Sequence, residues 1–182
     1  MKVKEMVENV GIPEGVEIKV EKGVVTAKGK EGECSKRLVN PKIAIAVKGK
    51  EVVVSSKNAT KREKTRIGSY AAHVENMIKG ASEGHVYRLK ICSGHFPMNV
   101  SASGNEFVVK NFLGEKQPRT LKLKEGVSVK VEGDFVVVES CDKDLAGQTA
   151  ADIEGLTRIT NRDLRIFQDG IYITEKDGKP VR

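Results

Sequence analysis

The sequence predicts an α+β protein of two tandem duplicated domains, each an antiparallel sheet packed with one main helix. Three observations lead there. The first is an internal repeat: Gly49-Lys50-Glu51-Val52-Val53-Val54-Ser55-Ser56 returns as Gly133-Asp134-Phe135-Val136-Val137-Val138-Glu139-Ser140, each a glycine turn followed by a valine-rich strand. The second is that each strand leads into a helical pattern, Ala71-Ala72-His73-Val74-Glu75-Asn76-Met77 in one copy and Ala150-Ala151-Asp152-Ile153-Glu154-Gly155-Leu156 in the other. The strands lie 84 residues apart and the helices 79, so the first copy holds five extra residues between them. The third is period-two alternation of apolar and polar residues upstream in both copies, which marks half-buried strands.

The elements follow in order. Val3, Met6, Val7 and Val10 sit at helical steps and predict a short helix over Lys2 to Val10. Val16 to Ala27 reads as two strands around a turn at Lys22-Gly23, followed by a glycine loop at Gly29–Gly32 and a strand from Ile43 to Val47. Ile67, Tyr70, Ala71, Val74, Met77 and Ile78 form one face of the first helix. Thr60-Lys61-Arg62-Glu63 fits a capping box, and Gly80 marks the helix stop. The boundary is expected near Ala81-Ser82-Glu83-Gly84, giving domains 1–81 and 82–182. In the second copy, Met98 to Val109 alternates around Ser103-Gly104, Asn111–Gly114 forms the loop, and Val127 to Val131 the next strand. The second helix carries the stripe Leu145, Ala146, Ala150, Ile153 and Leu156, capped by Asp142 or Asp144. The tail reads as a strand Leu164 to Gln168, a two-residue turn at Asp169-Gly170 and a strand Ile171 to Thr174, since Asp-Gly tolerates the positive φ of a tight hairpin.

Composition narrows the function classes. The 182 residues are 38% hydrophobic and 31% charged, with 4% aromatics and no Trp. Few aromatics mean few stacking platforms for splayed bases, which argues against a general single-strand reader. The net charge of +7 suits a polyanionic partner, but its distribution is uneven. Residues 1–80 hold 17 Lys/Arg against 10 Asp/Glu, whereas 81–182 hold 15 of each. Within the neutral half, residues 110–130 are basic (Lys110, Lys116, Arg119, Lys122, Lys124, Lys130) and 132–154 acidic. Such zones are also what an ordinary solvated surface shows. Cys34, Cys92 and Cys141 are scattered, as expected of buried reduced thiols in a cytosolic protein rather than a zinc site. The opening residues lack a signal peptide's apolar run, and no stretch approaches the roughly 20 apolar residues that span a bilayer.

Catalytic constellations are absent from the sequence. His73, His85 and His95 have no metal-ligand spacing, and there is no nucleophile elbow or phosphate-cradling loop. No enzyme, metal, cofactor or small-molecule substrate is therefore expected. Three segments stay ambiguous. Gly94-His95-Phe96-Pro97 is a structural turn or a contact loop. Asn111-Phe112-Leu113-Gly114-Glu115-Lys116 either folds Phe112 onto the core or inserts into folded RNA, with Lys116 and Arg119 on phosphates. In the tail, alternation puts Arg165, Phe167 and Asp169 on one strand face, which fits an RNA approach or a soluble edge hairpin.

Several of these segments carry a resemblance. Ile12-Pro13-Glu14-Gly15-Val16, the 94–97 loop, the 111–116 loop, Gln148 and, most specifically, Asn161-Arg162-Asp163-Leu164-Arg165-Ile166-Phe167-Gln168-Asp169-Gly170-Ile171-Tyr172 occur in this order. Over essentially its whole length the chain resembles the universal large-subunit ribosomal protein L6 family in its archaeal and eukaryotic form; it lacks the Lys-Gly-Lys-Gly tail of the bacterial branch. The resemblance implies two duplicated α+β domains and a cytoplasmic, ribosome-bound structural role. It places the chain on large-subunit ribosomal RNA near the sarcin–ricin loop and the base of the factor-binding stalk. Neighbouring stalk-base proteins, and translation factors, would be its protein partners. RNA contacts carry over to Gly94, His95, Phe96 and Pro97, to Asn111, Phe112, Leu113, Gly114, Lys116 and Arg119, and to Arg158, Asn161, Arg162, Arg165, Phe167, Asp169, Gly170 and Tyr172. The first domain, despite its charge, would be peripheral. The competing reading is an extraribosomal tandem module that binds other proteins.

Overall fold

A computed structural model describes the backbone of residues 3–181 and the side chains of 5–181. The chain divides into two compact units, Met1–Gly84 and His85–Arg182. In the first, β1 (Val3–Gly11), β6 (Glu51–Ala59) and β5 (Ala44–Lys48) form an antiparallel sheet in the order β1-β6-β5. A second sheet, β2-β3-β4, is built from β2 (Glu17–Glu21), β3 (Val24–Gly29) and β4 (Gly32–Arg37). Helix α1 (Lys61–Ser82) covers both, burying Ile67, Ala71, Val74, Met77 and Ile78 against Val25, Ala27, Val52 and Val54. Each unit thus holds two small sheets under one helix. In this first unit the buried side chains lie at alternate positions of β3 and β6 and at three- and four-residue steps of the helix, as the two backbone periodicities require.

The second unit repeats this plan. β7 (His85–Cys92), β12 (Phe135–Ser140) and β11 (Val127–Glu132) take the places of β1, β6 and β5. β8 (Asn99–Ser103), β9 (Glu106–Lys110) and β10 (Arg119–Lys122) form the second sheet, and α2 (Lys143–Leu156) is the covering helix. Leu89, Phe107, Val109, Phe112, Val136, Val138, Ala150, Ile153 and Ile171 make its core. An addition has no counterpart in the first unit: β13 (Gly170–Lys176) and β14 (Lys179–Pro180) extend the large sheet to the order β11-β12-β7-β13-β14.

Four expectations are corrected. Residues 3–11 are a strand, not a helix, and Lys2 lies outside the described residues. The steps of Val3, Met6, Val7 and Val10 fit a helical face, but pairing along the length of β6 satisfies the backbone of both strands and leaves Val7 46% exposed. The first helix runs past Gly80 to Ser82. It stops at Gly84, whose left-handed φ of +78° and N–H to the Gly80 carbonyl (3.1 Å) close the last turn. Residues 164–168 are not a strand, and Asp169-Gly170 is not a hairpin turn. Ile171 N–H is taken by Thr157 Oγ1 (2.9 Å) and Ile173 N–H by Glu154 Oε1 (3.2 Å), so side chains at the end of α2 occupy the strand edge that a hairpin partner would need. The tail hairpin forms instead at Asp177-Gly178, which joins β13 to β14. Finally, only Cys34 is buried; Cys92 and Cys141 are half-buried.

Other expectations hold as read. The Glu63 carboxylate accepts from the Thr60 N–H (2.9 Å) and the Thr60 hydroxyl, completing the capping box. These two bonds, the hydroxyl first, hold its pKa down to about 2, with Lys42 adding a smaller coulombic pull. Asp142 caps α2 by accepting from Asp144 N–H at 2.9 Å.

Candidate nucleic-acid interface

The second copy departs from the first in its connections, and those departures converge. In the first unit β3 and β4 are joined by two residues, Lys30 and Glu31, which press against the end of α1. Gly29 is required there: a methyl group on it would lie 2.3 Å from the Ala81 carbonyl oxygen, which also accepts from Glu31 N–H at 3.1 Å. In the second unit the same connection is the eight-residue loop 111–118. Asn111, Leu113 and Gly114 all adopt positive φ (60°, 50° and 78°). Two of them are not glycine, so this loop is held in a costly shape by its surroundings.

Those surroundings are visible. Phe112 is 1% exposed and fills the core, while Leu113 packs partly against it. Of the two readings of this loop, the structure therefore shows Phe112 folded back, and the loop presents no apolar wedge through that residue. Arg119 is also committed internally. Its guanidinium carbon lies 4.3 Å above the Phe112 ring, Nε and Nη2 donate to both Glu115 carboxylate oxygens (2.8 and 2.6 Å), and Nη1 donates to the carbonyls of Leu156 (2.7 Å) and Arg158 (3.3 Å). Four of the five guanidinium donors are thus used, two on Glu115 of the loop and two tying it to the end of α2. Arg119 holds Glu115 below the usual carboxylate range, chiefly through these hydrogen bonds. Lys116, by contrast, is exposed.

The 94–97 loop is fastened to the tail by Asp169. This side chain is 2% exposed, and its carboxylate accepts from the Gly94 N–H, the His95 N–H (3.1 Å) and the His95 ring at Nδ1 (2.6 Å). Burial alone would raise the Asp169 pKa, but the Gly94 and His95 hydrogen bonds outweigh it and hold the group below its ordinary value. The His95 ring stacks on Phe167 at 4.7 Å, and Arg162 lies 4.7 Å over the same Phe167 ring. Asn111 Nδ2 donates to the Pro97 carbonyl at 3.0 Å, and Phe96 lies against Gly114. The three segments singled out from sequence are therefore one contiguous surface. The Asp169 and Phe167 of that surface face inward as fasteners, not along a strand face with Arg165.

Between Asn161 and Gln168 the chain makes a tight turn. Asp163 organises it, accepting from Arg165 N–H through its side chain (2.9 Å) and from Ile166 and Phe167 N–H through its carbonyl (3.1 and 2.9 Å). Arg165 pairs with the Asp163 carboxylate at 2.7 Å yet stays 89% exposed. The turn lifts Leu164 and Ile166 to 63% and 64% exposure, and Phe96 nearby is 44% exposed. Arg158, Asn161 and Arg162 are exposed around it. Gly170 is buried beneath Tyr172, whose ring would meet a Gly170 methyl group at 3.0 Å and is itself 42% exposed. Leu164 and Ile166 were missed as site residues. They fall in the segment read as a strand from Leu164 to Gln168, and nothing in the sequence distinguishes an exposed apolar turn from such a strand. Among the described residues no three His, Cys, Asp or Glu side chains could hold a metal ion, and no helix is long and apolar enough to cross a membrane.

Comparison with known proteins follows the same division. A model of the family described as Ribosomal protein L6 matches residues 12–84 and 96–170, one stretch in each unit. Gly94, His95 and Tyr172 fall outside both stretches. The chain is 46% identical over 172 residues to the large ribosomal subunit protein uL6 of Methanococcus vannielii, covering 94% of each. It is 44% identical over 174 residues to the protein of the same name from Methanosarcina mazei, covering 96% of this chain and 99% of that one.

Proposed function

Since the chain belongs to the ribosomal protein L6 family, whose members are structural constituents of the large ribosomal subunit and not enzymes, we propose that its second unit anchors it to large-subunit ribosomal RNA. The observation that carries this reading is the convergence of the 94–97, 111–119 and 158–172 segments on one face, with exposed arginines set among exposed Leu164, Ile166 and Phe96. Cations position a protein on the sugar-phosphate backbone; apolar tips fill the grooves and junctions of a folded RNA, so binding selects shape more than sequence. The site would lie near the sarcin–ricin loop and the base of the factor-binding stalk, with stalk-base proteins and translation factors as neighbours. The first unit, which has a two-residue turn where the second has the 111–118 loop and ends without a comparable tail, would be peripheral.

The test is the salt dependence of binding by the full chain to protein-free large-subunit RNA. With Arg119 consumed internally, Lys116, Arg158, Arg162 and Arg165 are the exposed cations of the face. Four phosphate contacts give a slope of about −3.6 against log salt, hence a loss of about 10² in affinity from 50 to 200 mM. Binding that ignores salt, or that survives removal of all four charges, overturns the proposal.

A further inference from the structure

At one end of this face, where β7 ends and β13 begins, lies a cavity of about 650 Å³ lined by Cys92, His95, Ile166, Gln168, Asp169 and Tyr172 among others. Its composition is specific. Tyr172 offers a ring 42% exposed and Ile166 an aliphatic side chain 64% exposed, so the cavity has two apolar surfaces open to water. Tyr172 is held in place, with its ring over Gly170 and its hydroxyl donating to the Asp169 carbonyl at 3.4 Å. Gln168 brings an amide with both donor and acceptor to the same opening; among the described residues its side chain makes a long hydrogen bond from Nε2 to the Arg165 carbonyl, 3.4 Å.

The floor adds polarity of one sign. The Asp169 carboxylate is buried and satisfied by two backbone N–H groups and the His95 ring, so it presents little charge to a ligand. Because the Asp169 carboxylate accepts at His95 Nδ1, that nitrogen carries the proton and Nε2 is an acceptor, suited to an N–H of a ligand. Behind His95 the stacked column continues through Phe167 to the exposed guanidinium of Arg162. An aromatic wall, an aliphatic wall, an amide at the rim and cationic support together match a flat, hydrogen-bonding heterocycle joined to a phosphate. A base inside a duplex cannot enter such a slot, whereas an unstacked base can.

We propose that this cavity takes one unpaired nucleotide of the bound RNA, its base against Tyr172 and Ile166 with Gln168 and the accepting His95 Nε2 on its edge, and its phosphate toward Arg162. The proposal rests on the RNA-binding reading above and adds to it a single-nucleotide contact.

The experiment is base-specific chemical probing of protein-free large-subunit RNA, bound by the full chain and by its variants Tyr172→Ala, Tyr172→Phe and Gln168→Ala. Hydroxyl-radical cleavage of the same complexes reports the backbone footprint. One unpaired base should be protected by the parent chain and by Tyr172→Phe. The same base should become reactive with Tyr172→Ala while the backbone footprint persists, and affinity should fall roughly 5- to 150-fold, the range for base–aromatic stacking. Gln168→Ala lies outside any strand and should expose the same base with a smaller loss. Identical base reactivity for the parent and Tyr172→Ala overturns the proposal, as does a protected base that lies within a duplex. If Tyr172→Ala weakens retention on intact subunits but leaves base reactivity unchanged, the cavity holds a protein segment and the proposal is wrong. No footprint by the parent chain at all would overturn the RNA-binding reading itself, which separates the two failures.

Discussion

Asp169→Ala removes the group that joins the 94–97 loop to the tail. Three donors converge on this 2%-exposed carboxylate. Hydrogen bonds to a charged group contribute roughly 1.5–3 kcal/mol each when the partner would otherwise be stranded. Gly94 and His95 are themselves exposed, so water replaces much of what their N–H groups lose. A net cost of about 2–3 kcal/mol follows, and at about 4–8 °C per kcal/mol for a unit of this size the melting temperature should fall by roughly 10–20 °C. Asp169→Asn keeps an oxygen for the two backbone donors and gives up the charge opposite His95, so its loss should be less than half as large. Urea unfolding gives the free energy, and hydrogen exchange localises it: protection should drop at the ends of β7 and β13 and stay unchanged in α1. The pH dependence has a definite sign. A carboxyl whose pKa is lowered on folding stabilises above its unfolded value and loses that contribution as pH falls through the lower folded one. The advantage of the parent over Asp169→Ala should therefore be full above pH 3.8 and shrink below it. A variant within 0.5 kcal/mol of the parent (about the scatter of an ordinary surface change), or a loss of protection confined to the first unit, would refute the reasoning.

Arg119→Met should cost about 1–2 kcal/mol, discounted for partial exposure, and leave the salt slope of RNA binding unchanged, because its donors already serve Glu115, Leu156 and Arg158. Arg162→Met should do the reverse: urea midpoints nearly unmoved, the slope reduced by about 0.9. Gly29→Ala drives a methyl to within 2.3 Å of the Ala81 carbonyl oxygen and should destabilise the first unit by about 1–3 kcal/mol, seen as lost protection in α1, with RNA affinity intact. Glu63→Gln should abolish an acid transition. Helicity of α1 in the parent should weaken as pH falls from 4.5 toward about 2, where the lowered Glu63 protonates, and circular dichroism of the variant should show no such step.

The resemblance brought the right family, and three of the segments behind it, all in the second unit, do form one surface. Their individual parts are a different matter. Phe112 and Arg119 stand in a segment whose sequence leaves two readings open, insertion into RNA or Phe112 folded onto the core. In the structure they stack on each other, one as core and the other as a tie to α2. Asp169-Gly170 has the composition of a hairpin turn, yet its carboxylate is a buried acceptor for a loop 75 residues away. Leu164 and Ile166, read as part of a strand, lie in a turn and are among the most exposed apolar side chains described.

The sequence by itself determined the duplication, the valine strands and the two covering helices with their N-terminal caps. Those features depend on period, on turn residues and on neighbours within four positions, all of which are local. Only the tertiary structure decided that residues 3–11 pair as a strand with β6, that the tail hairpin sits at Asp177-Gly178, and which side chains of the candidate face are fasteners and which are exposed. The physical reason is common to all three. An unpaired strand edge, a buried carboxylate and a guanidinium each need hydrogen-bond partners, and here those partners come from distant parts of the chain that no local pattern records.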